Sequence, residues 1–352
     1  METHDDWKTR TKHAFNAEMI RRGVTDDRRR LINKLNSAGR LEQAALRYWV
    51  RKTGGQIVDA STTTPPPEDA SHWSERTMIS RGLVLRDDAP TTTPGMPVYN
   101  AANILPCRLS GKPHAIRVNI DALNTPSIWQ FPHILPPRMF AVVMVITYPY
   151  ASAFDPSEIA FTDTVTLFAP APALSAFPFD LLFMSNIYAF HHILTCRMSL
   201  LNKAPHHIGP VNLRVFPWNN RLAEKAQEIE SLRHDYFTAH PLYAALHVRD
   251  GEEFDPKKLL DMGIPADAAA IDDHQRIISL FQSARYNTVL DPRINALDTI
   301  IGTALGLTPE EITDVYRAMM DDALLHSADR RLPFDLAQAS GALRRGSGIS
   351  LE

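Results

Sequence analysis

Two stretches of the chain, residues 99–117 and 196–221, carry polar side chains that can hydrogen-bond to nucleic-acid bases and phosphates. Arginine and lysine suit guanine, asparagine suits adenine, and the cationic side chains also contact phosphate. We predict that these stretches form a DNA-binding surface; for any one residue, an ordinary polar surface is the alternative. The candidates are Tyr99, Asn100, Asn103, Arg108, Lys112, Arg117, Arg197, Asn202, Lys203, His206, His207, Asn212, Arg214, Asn219 and Arg221.

Two histidine pairs, His191-His192 and His206-His207, are the only hint of a metal site in the sequence. Neighbouring side chains on a helix point about 100° apart, so each pair offers at most one ligand to a given ion. We expect ordinary surface or groove histidines and no metal. The two cysteines, Cys107 and Cys196, cannot build a disulfide framework, so we expect small core residues in a reducing compartment.

The motifs of an adenine methyltransferase are missing from the sequence. There is no glycine-rich cofactor loop and no (Asn/Asp/Ser)-Pro-Pro-(Tyr/Phe) loop to hold a flipped base. The phosphate-binding and hydrolase motifs that depend on glycine or HExxH spacing are missing too. We therefore predict no catalytic residues and no cofactor in this chain. The carboxylates of DGEEFDPKK form only a weak nuclease-like pattern, because such spacings arise often by chance.

Charge is distributed unevenly along the 352 residues, although the net charge is only −3. Residues 8–52 hold 13 Lys/Arg against 4 Asp/Glu, whereas residues 250–330 hold 7 against 16. This polarity suggests a basic end that meets phosphate or an acidic partner; two solvated helical faces are the alternative, and composition alone does not choose between them. Arg21, Arg22, Arg28, Arg29 and Arg30 crowd together with few base-reading side chains nearby, so we expect an arm that docks or clamps the DNA backbone.

The first half of the chain divides into two patterns. Residues 5–52 predict helices, with Thr25, Asp26 and Asp27 as an N-cap and acidic first turn. The proline-rich stretch 61–71 predicts a linker. Residues 78–168 then predict strands and turns, with AVVMVITYPY as a buried strand and FTDTVTLFAP as a half-buried one.

The second half is predicted to be mainly helical. Helices are expected over 181–198, where Leu182, Phe183, Ile187, Phe190 and Leu194 form a core face, and over 221–239. Residues 211–218 predict a short extended segment in which Trp218 is a core anchor. The resulting fold class is α+β. The predicted units are a basic helical arm (1–60), a β-rich recognition domain (72–240), a helical C-terminal domain (241–335) and a mobile tail (336–352).

Residues 95–316 resemble the C-terminal specificity region of Taq-type and related restriction–modification adenine-N6 DNA methyltransferases. The pieces that carry the resemblance occur in the same order as in that family. Asn295 and Ala304 depart from the family pattern. The matching pieces are GMPVYNAANILPCRL, ILPPRMFAVVMVITYPYASAFDP with FTDTVTLFAP, FDLLFMSNIYAFHHILTCR, VNLRVFPWNN and DPRINALDTIIGTALGLTPEEITDVY.

The resemblance implies a DNA target-recognition subunit whose methyltransferase is supplied by another chain, because no catalytic domain precedes it. S-adenosylmethionine is then expected on the partner subunit. The implied partners are double-stranded DNA, the methyltransferase and, as further candidates, helicase or nuclease subunits of an anti-phage defence system. Two alternatives stay open: a scaffold subunit that reads no bases, and a nuclease of unfamiliar type.

The sequence predicts a soluble cytoplasmic protein. Its first residues, METHDDWKTR, lack the apolar region of a secretory leader. The longest apolar run, MFAVVMVI over 139–146, falls well short of the ~20 residues that span a bilayer.

Overall fold

The structure is a computed structural model that describes residues 24–58, 70–83, 91–105, 107–109, 113, 117–118, 129, 134–145, 148–195, 209–238 and 292–321. Strands and α-helices occur together, so the predicted α+β class is confirmed. The strands are β1 (Arg47–Arg51), β2 (Ile57–Val58), β3 (Trp73–Thr77), β4 (Ile79–Arg81), β5 (Thr91–Tyr99), β6 (Ile104–Leu105), β7 (Arg108–Leu109), β8 (Arg117–Val118), β9 (Met139–Val145), β10 (Tyr148–Phe154), β11 (Ala160–Phe161) and β12 (Thr166–Phe168).

Along the described chain, one α-helix precedes the strands and the other α-helices follow them. Short 3-10 turns cover Leu41–Gln43, Ala70–His72, Ala101–Asn103 and Pro172–Leu174. The α-helices are α1 (Asp26–Ser37), α2 (Phe179–Leu182), α3 (Asn186–Thr195), α4 (Pro210–Arg214), α5 (Asn220–Ala223), α6 (Ala226–Ser231), α7 (Arg233–Thr238), α8 (Pro292–Ala304) and α9 (Pro309–Asp321).

The largest sheet has the strand order β10-β9-β12-β4, with every neighbouring pair antiparallel. Residues 139–143 of β9 are buried, as its apolar sequence predicts. The stretch AVVMVITYPY, predicted as one strand, is instead divided between β9 and β10, which pair antiparallel with Val145 opposite Tyr148. β12 is buried at all three positions, so the prediction of a half-buried strand is wrong there. The reason is its inner place in the sheet and its cover of aromatic rings: Phe168 lies 4.7 Å from Phe179 and 6.3 Å from Phe140, between ring centroids.

Three smaller sheets complete the β-rich part. β1 is the middle strand of the order β2-β1-β3, which is antiparallel throughout. β5 pairs in parallel with β11 and antiparallel with β8, and β6 pairs with β7. Gly82, directly after β4, is held so close to β11 that a Cβ there would lie 2.1 Å from the carbonyl oxygen of Thr162.

Helix α1 begins as the sequence predicts but ends early. The Thr25 hydroxyl accepts a hydrogen bond from the backbone N–H of Arg28, and Asp26 and Asp27 occupy the first turn. The helix stops at Ser37 because Gly39 follows with a φ of 120°, which L-residues rarely adopt. The predicted helix through Lys52 is therefore wrong in its second half, where RYWVR forms β1 with β3 as its partner.

The helical second half is more broken than predicted. The helix expected over 181–198 is divided into α2 and α3, and residues 196–198 lie outside the described residues. The segment expected to be extended over 211–218 begins with α4, because Pro210 stands in the first helical turn, where its fixed φ suits a helix. The single helix expected over 221–239 is instead three short ones, α5, α6 and α7.

Helix α3 lies at the centre and contacts α1, α8, α9 and strand β10. Buried residues from all these elements belong to one hydrophobic cluster, for example Ile32, Ala151, Phe190, Leu297 and Ile312. The predicted core positions Leu182, Phe183, Ile187, Phe190, Leu194 and Trp218 are buried, which confirms them. The described parts of the three predicted units thus share one core. The tail 336–352 lies outside the described residues.

Candidate nucleic-acid interface

The small sheet β2-β1-β3 presents cationic and aromatic side chains. On one face, Arg47, Trp49 and Arg51 alternate along β1, because side chains two residues apart share a face. Directly opposite Arg51 on β3 is Trp73, whose ring centroid lies 6.0 Å from the Arg51 guanidinium carbon. Glu75 accepts a hydrogen bond from Arg47 at 3.1 Å. Such a combination of guanidinium groups and an indole ring suits phosphate and base contact.

The opposite face of the same sheet brings three donors together. Tyr48 on β1 is paired with Arg76 on β3, so their side chains lie on one side. Helix α4 packs against β4, and the Arg214 Nη2 donates to the carbonyl oxygen of Ile79 at 3.2 Å. Burial raises the pKa of Tyr48, while the positive charges of Arg76 and Arg214 act in the opposite direction. Within the described residues, neither arginine has a carboxylate within 4.0 Å.

The arginine run on α1 is less available than its sequence predicts. Arg29 forms an ion pair with Asp26 and donates to the carbonyl oxygen of Val24 at 3.1 Å. Arg30 lies 3.6 Å from Asp27. The acidic first turn of the helix therefore neutralises part of the charge. Arg21 and Arg22 lie outside the described residues.

The first predicted binding stretch is only partly described, and its polar groups help to build local structure. The Tyr99 ring centroid lies 6.1 Å from that of Phe161, and its carbonyl oxygen accepts from the N–H of Thr162. Asn103 accepts a hydrogen bond from the N–H of Asn100 at 3.0 Å, which closes a turn. Arg108 is half-buried in β7, a strand that packs on β10.

The second predicted stretch divides into two surroundings. Asn212 and Arg214 lie on α4 beside the small sheet. Asn219 caps α5 by accepting from the N–H of Leu222, and its Nδ2 donates to the carbonyl oxygen of Ala304 at 2.8 Å. These internal bonds account for the polarity of Asn219 without any ligand. Arg221 is exposed on α5.

The structure does not bring all the predicted residues to one place. Arg108 lies near β10 and Arg214 near β4, at the two opposite edges of the largest sheet. Three strand spacings separate these edges, which is roughly 14 Å. Of Arg117 only the backbone is described, in β8. Lys112, Arg197, Asn202, Lys203, His206 and His207 lie outside the described residues, so their placement stays a prediction.

A buried ion cluster near α7 was not anticipated from the sequence. Asp180 is 2% exposed and accepts two hydrogen bonds from Arg233, at 2.9 and 3.1 Å. Arg233 also donates twice to Glu230, at 2.7 and 2.8 Å. Arg138 also lies 4.0 Å from Asp180. The pairs of Asp180 with Arg138 and Arg233 span 42 and 53 residues, so only the folded chain reveals them.

Cys107 stands beside this cluster, with a φ of 59° and its N–H donating to the carbonyl oxygen of Ala151. Burial raises the pKa of its thiol well above the usual value, and the negative charge of Asp180 adds to this, while Arg233 opposes it. A thiol held protonated in this way is a poor nucleophile. Cys107 packs against the core, which agrees with its predicted structural role. Cys196 lies outside the described residues.

His191 and His192 are buried, so the prediction of surface or groove histidines is wrong for this pair. The His191 Nε2 lies 2.8 Å from the Oδ1 of Asn36, and burial lowers the pKa of His191 to about 3. The signal was present in the sequence: NIYAFHHILT is apolar almost all round, which is typical of a fully buried helix. Neither imidazole is therefore placed to meet a ligand from solvent.

In the part of the chain that the structure describes, no group of three or more His, Cys, Asp and Glu side chains could hold a metal ion. Nor does any helix there have the length and apolar character needed to cross a bilayer. Comparisons of the chain with protein-family models, with curated proteins and with solved structures gave no significant match.

Proposed function

We propose that the chain is a non-catalytic DNA-binding subunit that directs a separate adenine-N6 methyltransferase to its target. The observation that carries this proposal is the charge of the small sheet and its flank. Among the described residues of the sheet and its flank, Arg47, Arg51, Lys52 and Arg76 are cationic and only Glu75 is a carboxylate. The resemblance of residues 95–316 to methyltransferase specificity regions supports the choice of partner. S-adenosylmethionine would bind to the partner subunit, and the complex would work in the cytoplasm.

In this proposal, different parts of the chain contact the phosphate backbone and the bases. The small sheet is suited to clamping the phosphate backbone, because point charges hold phosphate whatever the base sequence. Base choice needs fixed donors and acceptors, and the candidates for it remain the stretches 99–117 and 196–221. Asn212 is one such candidate, on α4 two residues before Arg214. The proposal therefore predicts that changes in the sheet alter affinity and leave the recognised motif unchanged.

Binding of labelled double-stranded DNA at several salt concentrations tests the clamp. We expect the exchange of Arg51 and Lys52 for alanine to reduce the slope of log affinity against log salt by up to ~2, since each phosphate contact adds about 0.9. Both side chains are exposed, so the fold is expected to survive. Arg317→Ala is the matched control, because it removes an exposed cation from α9.

Methylation by the chain together with its methyltransferase tests the rest of the proposal. We expect the double variant to methylate the same motif at a lower rate. Methyl transfer to DNA by the isolated chain, or failure of the chain to bind DNA both alone and with the methyltransferase, would overturn the proposed function. Deleting residues 1–60 is not a usable test, because Leu31, Ile32 and Leu35 belong to the core.

A further inference from the structure

Three hydrogen-bond donors lie near one another where β3 of the small sheet leads into β4, the strand against which α4 packs. Tyr48 and Arg76 are direct cross-strand partners on one face, and Arg214 approaches the same face from α4. The Nη2 of Arg214 is held by the carbonyl oxygen of Ile79 at 3.2 Å, which fixes the guanidinium in place. The three donors thus come from separate elements, and the fold itself brings them together.

None of these donors is fully used inside the described part of the protein. The Tyr48 hydroxyl, the Arg76 guanidinium and the Arg214 Nη1 have no hydrogen-bond partner there. The Arg214 Nε is buried and has no partner either. Leaving a buried donor unbonded costs free energy, so the free protein holds this guanidinium in an unfavourable state. An anion bound at the Nη1 would supply an acceptor that the described residues do not provide.

The local charge selects the kind of ligand. Glu75, the nearest carboxylate in sequence, points to the other face of β3 and is bonded to Arg47. Two guanidinium groups and a hydroxyl present a double positive charge and planar donor pairs, the arrangement that best matches phosphate oxygens. A neutral or cationic ligand gains nothing from such surroundings.

We propose that Tyr48, Arg76 and Arg214 form a phosphate-binding site that holds one backbone phosphate of bound DNA. The identity of the phosphate as DNA rests on the proposed function, while the anion site itself does not. Arg214 is then a phosphate contact and not a reader of bases. The site gives α4 a defined position on the DNA, and with it the neighbouring Asn212.

Two variants with different expected signatures test the site. Arg76→Gln removes one charge from an exposed position, so the salt slope of DNA binding should fall by about 1. Tyr48→Phe removes one neutral hydrogen bond, so affinity should fall about fivefold while the slope stays unchanged. Arg317→Gln, which makes the same change of charge on α9, should leave both unchanged.

A second measurement tests the anion site independently of DNA binding. Inorganic phosphate, compared with chloride at equal ionic strength, should raise the Tm of the wild-type chain more than that of the chain carrying both Arg76→Gln and Tyr48→Phe. If the wild type shows this response but binds no DNA, the anion site stands and the proposed function falls. If both variants keep the wild-type slope, affinity and phosphate response, the site is overturned.

Discussion

The backbone N–H of Asn186 donates to the Oδ1 of Asp298 over 2.8 Å, a hydrogen bond that joins the first turn of α3 to the middle of α8 across 112 residues. The same carboxylate, only 1% exposed, accepts from Ser185 Oγ at 2.6 Å, Asn186 Nδ2 at 2.7 Å and Tyr316 Oη at 3.2 Å. A carboxylate at a helix N-terminus also interacts favourably with the helix dipole. Asp298 thus ties the central helix to both C-terminal helices.

Asp298→Ala should therefore be among the most destabilising single changes in the described chain. It leaves four buried donors without their acceptor, each at a cost of about 1–3 kcal/mol, and the costs are not additive. We expect the free energy of unfolding to fall by about 3–5 kcal/mol, measured by urea denaturation. Asp314→Ala removes an exposed partner of Arg317 and should cost less than about 1 kcal/mol. Equal effects of the two changes would contradict this account.

Two variants of Arg233 should lower the free energy of unfolding to different degrees. Burial acts to lower the pKa of Arg233, but its hydrogen bonds to Glu230 and Asp180 outweigh this and raise it. Arg233→Ala leaves the Asp180 carboxylate buried without its main partner, so we expect a loss of about 3–5 kcal/mol in the free energy of unfolding. Arg233→Lys should lose less, because it keeps the charge but cannot bond both carboxylates in a fork. A lysine variant as unstable as the alanine variant would show that charge is unimportant here.

Features that depend on neighbouring residues were predictable from the sequence, and contacts between residues far apart in the chain were not. Thr25 and Asp26 predict the start of α1, because a helix cap depends only on residues close in sequence. Strand β1 was misassigned because its partner β3 lies beyond the 61–71 stretch, and pairing overrides local propensity. Asp298 carries no local sign of its role, since its donors are more than a hundred residues away in Ser185 and Asn186.

The candidate interface likewise has features that the local sequence predicts and contacts that only the fold creates. The basic composition of residues 8–52 predicted a clamp, and Arg47 and Arg51 lie on one face of β1, where Arg51 is exposed and Arg47 partly exposed. The sequence could not reveal that Arg76 and Arg214 meet at Tyr48, because that meeting depends on the packing of α4 against β4. Nor could it reveal that Arg108 lies at the opposite edge of the largest sheet.

Gly82 offers a test of backbone packing. A Cβ at this position would lie 2.1 Å from the carbonyl oxygen of Thr162 and 2.4 Å from that of Phe161, so the two segments would have to move apart. Gly82→Ala should lower the Tm by several degrees, because a loss of about 1–3 kcal/mol accompanies overpacking of a close contact. Gly209→Ala is the matched control, since among the described residues no atom beyond the glycine and its chain neighbours lies within 4 Å of its Cβ position. A Tm for Gly82→Ala no lower than that of the control would contradict the close approach.

His191 predicts a specific dependence of stability on pH. Its pKa falls from 6.5 to about 3 in the folded chain because the imidazole is buried, so it stays neutral there. In the unfolded chain the same group takes up a proton as the pH drops below 6.5. The unfolded state then binds more protons than the folded state, so the stabilising contribution is fully present above pH 6.5 and is lost as the pH falls towards 3.

Between about pH 7 and about pH 5, this one group should cost about 2 kcal/mol in the free energy of unfolding. His191→Gln should be less stable than the wild type at neutral pH, because the packing around His191 and its contact with Asn36 are disturbed, but its stability should fall less steeply with acid. Urea unfolding at several pH values measures both slopes. His234→Gln, at an exposed position on α7, should keep the wild-type slope. If His191→Gln retains the full acid sensitivity of the wild type, His191 is not the group that is protonated on unfolding.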